Sequence, residues 1–241
     1  MKSDMQNTAD IANYDAIIAG GSYTREPRLN IAGVDYVEGD HPLYQVITDR
    51  KVFSGSSPEI GACPIGEINI VMKLPLEEIP RMAEIKAYAR VRNSQMVSGW
   101  LPKGVFYLNE RTTNEQNDRI SIYGCDAMAF ADAPYPSSSL AWPAKDRQVL
   151  EEVAAAIGVE IDESTLELIP AAGRYSVQFP AEDTMRDALG TIAALYAGNF
   201  IINETGKLQL VGLNNLPAET NYLINEKGDY ITFGGVRILR S

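Results

Sequence analysis

The fold is decided by residues 75–128, which read PLEEIPRMAEIKAYARVRNSQMVSGWLPKGVFYLNERTTNEQNDRISIYGCDAM. In residues 83–91, AEIKAYARV, apolar and polar side chains alternate, which is the pattern of a strand with one buried face. Residues 104–108 and 119–123 predict two further strands, and the polar residues 109–118 between them predict a hairpin tip. The stretch shows no cluster of histidine, cysteine or carboxylate side chains at catalytic spacing. Its regularity therefore indicates a structural role.

Further short strands are predicted ahead of this stretch. LNIAGVDY (29–36) turns at Gly33, LYQVITDRKVF (43–53) predicts one or two strands, and GEINIVMKL (66–74) alternates strongly. Several short strands separated by turn residues are typical of an antiparallel barrel or sandwich. We therefore expect an N-terminal antiparallel β barrel or sandwich over residues 25–133.

A helical arm is predicted in front of this β domain, over residues 1–24. Its apolar residues have helical spacing from Ile11 to Ile18, and Gly20-Gly21 ends the pattern. A helix this short is marginal in water on its own. We therefore expect the arm to dock on the body of the protein or on a neighbouring subunit.

The hydrophobic period changes from that of strands to that of helices after PYPSSS (134–139), a Pro/Ser-rich segment that predicts a domain linker. Residues 146–157 and 182–197 have the apolar spacing of two helices, and residues 200–211 predict a tight hairpin. Residues 140–213 are therefore expected to form a small α/β domain, with two helices on a short sheet.

The second of these helices has its own start signal, because Thr184 and Asp187 are spaced as a capping box. Beyond the α/β domain, strand patterns return in residues 214–241. They predict either the start of a further β element or a return to the first domain. The chain as a whole is expected to be an α+β protein.

Length and composition limit the classes of function. The chain has 241 residues, 45% of them hydrophobic, and a net charge of −11. This acidic balance argues against specific binding to nucleic acid or to anionic membranes, because both favour basic patches. No apolar run approaches the ~20 residues of a membrane span, and no signal peptide is recognisable. Synthesis in the cytoplasm is expected, and the sequence leaves open whether Cys63 and Cys125 pair.

No catalytic, cofactor-binding or metal-binding residue is predicted. His41 is the only histidine, and it lacks cysteine or carboxylate neighbours at metal-ligand spacing. No GxSxG elbow supplies a nucleophilic serine. The carboxylates of Glu77-Glu78 and of Glu151-Glu152 are adjacent, so their side chains point in different directions in a strand or a helix.

Proline and aromatic residues mark the positions that we expect to shape the β domain. Trp100 and Trp142 stand close to prolines and are expected to pack in a core or an interface, with sugar stacking as the alternative. Structural or interface roles are predicted for the following residues. Pro80 and Met82 are expected to turn the chain, Trp100 and Pro102 to anchor the following strand, Tyr123 and Gly124 to close the barrel, and Asp126 to cap a helix.

Three phrases of the opening stretch, IPRMAEIKAYARV (79–91), WLPKGVFYL (100–108) and ISIYGCDAM (120–128), resemble the tail-tip proteins of prophages from Gram-positive bacteria. WPAKDRQVLEEVAAAIGVEID (142–162) and GNFIINETGKLQLV (198–211) are similar to the next part of those proteins. The family looks like the baseplate or tail-hub group. The resemblance covers roughly residues 25–213, and its phrases are structural rather than catalytic.

The resemblance implies barrel-like β domains joined by a small α/β domain. It also implies assembly as a homo-oligomeric ring, commonly a trimer, that joins the tail tube to the tip and gives DNA a passage. The partners would be other tail proteins. The location would be the phage virion, after assembly in the cytoplasm of the host bacterium.

Two other classes of function remain open. A carbohydrate- or cell-wall-binding module would present two or more exposed aromatic side chains on one face, such as Trp100 with Tyr107. A hydrolase would use Asp126 or the glutamate pairs, with two carboxyl groups facing each other across about 5–9 Å.

Overall fold

The structure, a computed structural model, describes residues 8–37, 42–55, 59–75, 78–114, 116–179, 182–212, 232–233 and 236–237. The helices are α1 (Thr8–Ala19), a 3₁₀ helix (Ala127–Asp132), α2 (Asp146–Ala156), α3 (Glu163–Leu168) and α4 (Met185–Leu195). The strands are β1 (Thr24–Ile31), β2 (Val34–Val37), β3 (Leu43–Asp49), β4 (Glu67–Lys73), β5 (Glu84–Arg92), β6 (Leu101–Asn114), β7 (Arg119–Cys125), β8 (Ala144–Lys145), β9 (Ser176–Val177), β10 (Gly198–Ile202), β11 (Leu208–Gly212), β12 (Thr232–Phe233) and β13 (Val236–Arg237).

Seven strands form one antiparallel sheet in the order β2-β1-β5-β6-β7-β4-β3. Strand β5 shows how the sequence specifies it, because every second side chain is buried: Ile85, Ala87, Ala89 and Val91. The side chains between them are half-buried or exposed. The alternation predicted for residues 83–91 is confirmed.

The sheet is strongly curled. Strands β2 and β3 lie at its opposite edges, yet the chain takes only six steps from Val37 to Leu43. A flat sheet would separate these edges by six spacings, about 29 Å, whereas six residues reach at most about 22 Å. Side chains from both edges, Tyr36 and Val46, accordingly pack with the same core. Among the described residues no ladder joins β2 to β3, so the sheet is sandwich-like, and the closed-barrel alternative is wrong.

All seven strands contribute apolar side chains to the core inside this curl. Phe106 is completely buried there. Gly104 has a φ of +148°, and a Cβ atom at that position would overlap the Phe106 ring. The buried members are Leu29, Ile31, Tyr36, Ile68, Ile70, Met72, Ile79, Ala83, Ile85, Ala87, Phe106, Leu108, Ile120 and Ile122.

The β6–β7 hairpin is longer than the sequence pattern predicts. Strand β6 continues to Asn114, with a register shift after Leu108, and its polar half pairs with β7. The prediction that residues 109–118 form the hairpin tip is therefore wrong in extent, since only residues 115–118 lie between the strands. The polar side chains of 109–114 are exposed, so polarity here reflects an exposed ladder and not a loop.

Helices α2, α3 and α4, the 3₁₀ helix and the β10–β11 hairpin form a second layered unit with its own core. Helix α4 packs on β10, α2 packs on α4, and α3 packs on β11. The two predicted helices and the hairpin are confirmed, but the sequence missed α3, a short helix capped by Asp162, whose side chain accepts the Ser164 N–H at 3.0 Å. The capping box of α4 is present: Thr184 accepts the Asp187 N–H at 3.1 Å, and Asp187 accepts the Thr184 N–H at 2.9 Å.

The Pro/Ser-rich segment at 134–139 is bound to this second unit. The Tyr135 N–H donates to the Asp183 carbonyl at 3.0 Å. The hydroxyls of Tyr135 and Ser138 both donate to the Glu152 carboxylate, at 2.7 and 3.0 Å. The segment is thus held in place by the α/β unit, and the domain boundaries at 133 and 140 stay a prediction.

The two ends of the chain differ in what the structure describes. Helix α1 docks on the sheet, where Tyr14 and Ile17 pack against Val91 and Leu101. Near the C-terminus, β12 and β13 pair with each other. The rest of residues 214–241 lies outside the described residues, and neither predicted role of that segment is tested.

Candidate interaction surfaces

One surface is the outer side of β1 and β5, together with the residue that precedes β6. Residues two apart on a strand share a face, and the antiparallel register places Glu26 beside Arg90 and Arg28 beside Tyr88. We call this surface the Trp100 face. It consists of Glu26, Arg28, Tyr88, Arg90, Arg92 and Trp100.

The side chains of the Trp100 face contact each other closely. The guanidinium of Arg90 lies 4.5 Å from the centre of the Trp100 ring, and that of Arg28 lies 5.2 Å from the centre of the Tyr88 ring. Such cation–π contacts are favourable because the face of an aromatic ring attracts a cation electrostatically. The Glu26 carboxylate pairs with Arg90 at 2.5 Å and with Arg92 at 2.9 Å. Arginine, tyrosine and tryptophan are the residue types enriched in the centres of protein interfaces.

The structure places the other predicted residues of the opening stretch as follows. Pro80 is exposed. Met82 is also exposed, at 54%, and has a left-handed backbone with a φ of +56° in the turn before β5. Pro102 is half-buried opposite Tyr88.

Tyr123 and Gly124 belong to β7, which is paired on both sides, with β4 and with β6. A Cβ atom at Gly124 would lie 2.9 Å from the Tyr107 carbonyl oxygen, so glycine allows the close approach of β6. The predicted closure of a barrel by these two residues is wrong, because β7 is an interior strand of an open sheet.

Asp126 joins the end of β7 to residues 59–66. Its Oδ1 accepts the Met128 N–H at 3.0 Å, which caps the 3₁₀ helix, and its Oδ2 accepts the Gly66 N–H at 2.8 Å. The side chain is almost completely buried. Burial raises the pKa of this carboxyl to about 7, against the opposing effect of the two N–H donors and of Arg186 and Arg50.

We call the region where the end of β7 and residues 59–66 meet β10 and α4 the seam. Two residues that the sequence did not single out complete it. Asn199 is fully buried: its Oδ1 accepts the Ala62 N–H at 2.8 Å, and its Nδ2 donates to the carbonyls of Val52 and Glu59, at 2.9 and 2.8 Å. The only sequence signal was a polar residue beside an apolar run. Asn199 therefore attaches residues 52–62 to β10.

Arg186 is the second of these residues. It donates to Asp132 at 2.5 Å, to the Met128 carbonyl at 2.9 Å and to the Cys63 carbonyl. Its sequence signal was a charge within the amphipathic helix α4. Together Asp126, Asn199 and Arg186 hold the sheet and the α/β unit in one arrangement.

A groove of about 930 Å³ runs along the seam between residues 59–67 and α4. Its floor is a close crossing, because a Cβ atom at Gly190 would lie 2.7 Å from the Gly61 carbonyl oxygen. Burial raises the pKa of the Cys63 thiol to about 12, so this thiol is not an activated nucleophile at neutral pH. Cys63 and Cys125 are both free thiols.

The carboxylates considered for hydrolysis have separate partners. Glu78 pairs with Arg111 at 2.9 Å, and Glu151 pairs with Arg147 at 2.7 Å, while Glu152 accepts the hydroxyl of Tyr135. His41 and Glu77 lie outside the described residues. Within the described ranges, no three histidine, cysteine, aspartate or glutamate side chains are arranged to hold a metal ion.

A buried carboxylate in the α/β unit was also missed from the sequence. Asp146 is fully buried and accepts the N–H groups of Arg174 and Tyr175, at 3.1 and 3.2 Å, and the hydroxyl of Tyr196, at 2.6 Å. It therefore fixes the loop before β9 to the start of α2 and to the end of α4. Its partners are 28 to 50 residues away along the chain.

Comparison with known proteins gives a likeness in fold. No protein-family model and no curated protein matches the chain. The 43 kDa tail protein of prophage MuSo2 from Shewanella oneidensis is similar over 83% of this chain and 58% of its own length, at 14% identity and a TM-score of 0.51. The tail protein from Neisseria meningitidis MC58 is similar over 84% and 56%, at 13% identity and a TM-score of 0.45. The chain thus spans a little over half the length of these structures.

Among the described residues, no helix is long and apolar enough to span a bilayer.

Proposed function

We propose that this protein is a non-enzymatic structural component of a phage or prophage tail, in a hub or baseplate ring that joins the tail tube to the tip. The observation that carries the proposal is the fold shared with the prophage MuSo2 tail protein over 83% of the chain. The sequence phrases that resemble tail-tip proteins, within residues 79–211, support the same class of protein.

The distribution of polar groups supports a structural role. The buried carboxylate of Asp126, the buried amide of Asn199 and the half-buried guanidinium of Arg186 bind backbone groups across the seam. Such groups stabilise a single relative position of the sheet and the α/β unit, because an unpaired buried partner would be costly. A part that transmits force between tube and tip needs a rigid junction of this kind.

The charge of the chain supports a position around a DNA passage. A net charge of −11 repels the phosphate backbone at long range. DNA would therefore pass without being retained.

A hub or baseplate ring requires the protein to self-associate, and we favour a trimer. We propose that the Trp100 face forms the contact between subunits. Sedimentation velocity over a range of concentrations tests it. Arg90→Ala and Trp100→Ala should each weaken association about tenfold or more, because arginine and tryptophan dominate interface energies. Lys207→Ala, which removes a half-buried cation on the β10–β11 hairpin, is the matched control and should associate like the parent protein.

The tail role itself is tested by inducing the prophage that encodes the chain and analysing purified particles by mass spectrometry. The protein should be present in a fixed ratio to the tube protein and to other tail proteins. Particles with complete tails but without this protein would overturn the proposal.

The pair Trp100 and Tyr107, which suggested a carbohydrate-binding module, does not favour that function in the structure. Trp100 is half-buried under Arg90, and Tyr107 is half-buried against Phe130, with the ring centres 5.0 Å apart. Each ring is therefore already partly covered by a neighbouring side chain.

A further inference from the structure

A different aromatic cluster lies in the α/β unit, where residues 134–139 approach the end of β9. Tyr135, Trp142 and Phe179 surround a pocket of about 420 Å³. The size is within the range of small-ligand sites in proteins. Neither the fold nor the proposed tail function accounts for this pocket.

The three rings present one aromatic surface. Trp142 lies 5.8 Å from Phe179 and 6.0 Å from Tyr135, with interplanar angles of 78° and 73°. Edge-to-face packing of this kind fixes the indole ring. Trp142 is 38% exposed, whereas the other two rings are half-buried behind it. The cluster therefore presents one exposed indole ring, which the rings of Tyr135 and Phe179 hold in a fixed orientation.

The polar groups of the pocket are hydroxyls and an amide. The Tyr135 hydroxyl donates its proton to Glu152, so its oxygen is free to accept another hydrogen bond. Within the described part of the chain, the exposed side chains of Gln178 and Ser137 have no hydrogen-bond partner. None of the described residues that line the pocket has a charged side chain.

We propose that this pocket binds a neutral glycan, with Trp142 stacked on the apolar face of one sugar ring. Gln178 and Ser137 would bond the sugar hydroxyls, and the Tyr135 oxygen would accept a further hydroxyl proton. A sugar ring combines an apolar C–H face with a rim of hydroxyls, which matches one exposed indole beside an amide and a hydroxyl.

The lining also disfavours other ligands. Anionic ligands such as nucleotides need cations or helix N-termini, and no lysine or arginine is among the described lining residues. Proline-rich peptides dock in grooves lined by aromatic side chains. Here the exposed Trp142 stands nearly perpendicular to its two aromatic neighbours, so the rings do not form a pair of parallel ridges with a groove between them.

The two tryptophans of the chain make a direct test possible. In a Trp100→Phe variant, Trp142 is the only indole, and its fluorescence reports on the pocket. Titration with triacetylchitotriose or maltotriose should give a saturable change, while trigalacturonate, a charged sugar, should give none. Isothermal titration calorimetry of the parent protein should give the same affinity.

Variants locate the site. Trp142→Ala should abolish binding measured by calorimetry, and Gln178→Ala, on the exposed rim, should weaken it about tenfold. Tyr23→Ala, an aromatic position that is 40% exposed before β1, is the matched control and should change the affinity less than twofold. Unchanged melting temperatures show that Trp142→Ala and Gln178→Ala are folded; if Trp142→Ala is not, Gln178→Ala decides.

Three results would overturn the glycan site. They are no saturable change with either neutral sugar at 25 °C, binding that Gln178→Ala leaves unaltered, or saturation by a proline decapeptide in place of the sugars. Each result is independent of the tail role, because the presence of the protein in tail particles is measured separately.

Discussion

The sheet and the α/β unit are stabilised in different ways. The sheet is built from apolar side chains at every second position, and the described residues of its core include no buried carboxylate or amide. The α/β unit also has an apolar core, but its loops and its junction with the sheet depend on buried polar side chains, above all Asp146 and Asn199. The alternation of apolar and polar residues can be recognised in a short stretch of sequence. A buried carboxylate, in contrast, depends on partners far along the chain.

The largest expected effect is in the sheet core, and the two tryptophans allow each region to be followed separately. Trp100 reports on the sheet in a Trp142→Phe background. Phe106→Ala should lower the free energy of unfolding followed by Trp100 in urea by about 3–5 kcal/mol, because it removes a fully buried ring. Ile47→Ala, an exposed position on edge strand β3, is the control and should change it by less than about 0.5 kcal/mol. Equal effects would mean that Phe106 is not in a packed core.

The next effect concerns pH and the seam. The pKa of Asp126 is raised from 3.8 to about 7 in the folded protein. Between about pH 4 and pH 7 the unfolded chain releases this proton while the folded protein keeps it. The free energy of unfolding therefore falls as the pH rises through this window, by up to about 1.4 kcal/mol per pH unit. Below pH 4 both states are protonated, and above pH 7 both are ionised.

The measurement compares the parent protein with Asp126→Asn, which cannot titrate, in urea at several pH values. Subtracting the two curves cancels the carboxyls with lowered pKa, Asp35, Asp187 and Glu204, which act below about pH 4.5. The difference should fall by as much as about 4 kcal/mol from pH 4 to pH 7. Parallel curves would show that burial does not raise the pKa of Asp126.

The third prediction tests the polar side of the comparison. Asp146→Ala leaves three backbone N–H groups, those of Arg147, Arg174 and Tyr175, and the Tyr196 hydroxyl without their acceptor. We expect a loss of about 3 kcal/mol in the unfolding transition followed by Trp142, because each unpaired buried donor costs about 1–3 kcal/mol. Asp15→Ala, at an exposed position on α1, is the control and should change stability by less than about 0.5 kcal/mol. A similar small change for both would remove the distinction between the two regions.

The same contrast explains which parts of the fold could be predicted. Strand β5, helix α4 and its capping box follow from local spacing, so the sequence alone predicts them. The curl of the sheet depends on strand order, which no local pattern contains. The attachment of residues 59–66 to β10 depends on Asn199 and on the Gly61–Gly190 crossing, whose partners are more than a hundred residues apart.

The candidate surfaces divide in the same way. Trp100 and Pro102 could be selected from the sequence, because tryptophan near proline is uncommon in a polar loop. The contact of Arg90 with the Trp100 ring could not, since it requires the pairing of β5 with β6. The cluster of Tyr135, Trp142 and Phe179 brings together segments about forty residues apart, and only the fold reveals it.

The smallest effect tests a local signal inside the α/β unit. Thr184→Ala removes the side-chain acceptor at the start of α4 and should lower the free energy of unfolding by about 1 kcal/mol. Thr191→Ala, an exposed position later in the same helix, makes the same chemical change without a cap and should have an effect near zero, because alanine has the higher helix propensity. If Thr184→Ala were as mild as Thr191→Ala, the capping box would be a geometric feature without energetic weight. The local signals of the α/β unit would then contribute less to its stability than its long-range polar contacts.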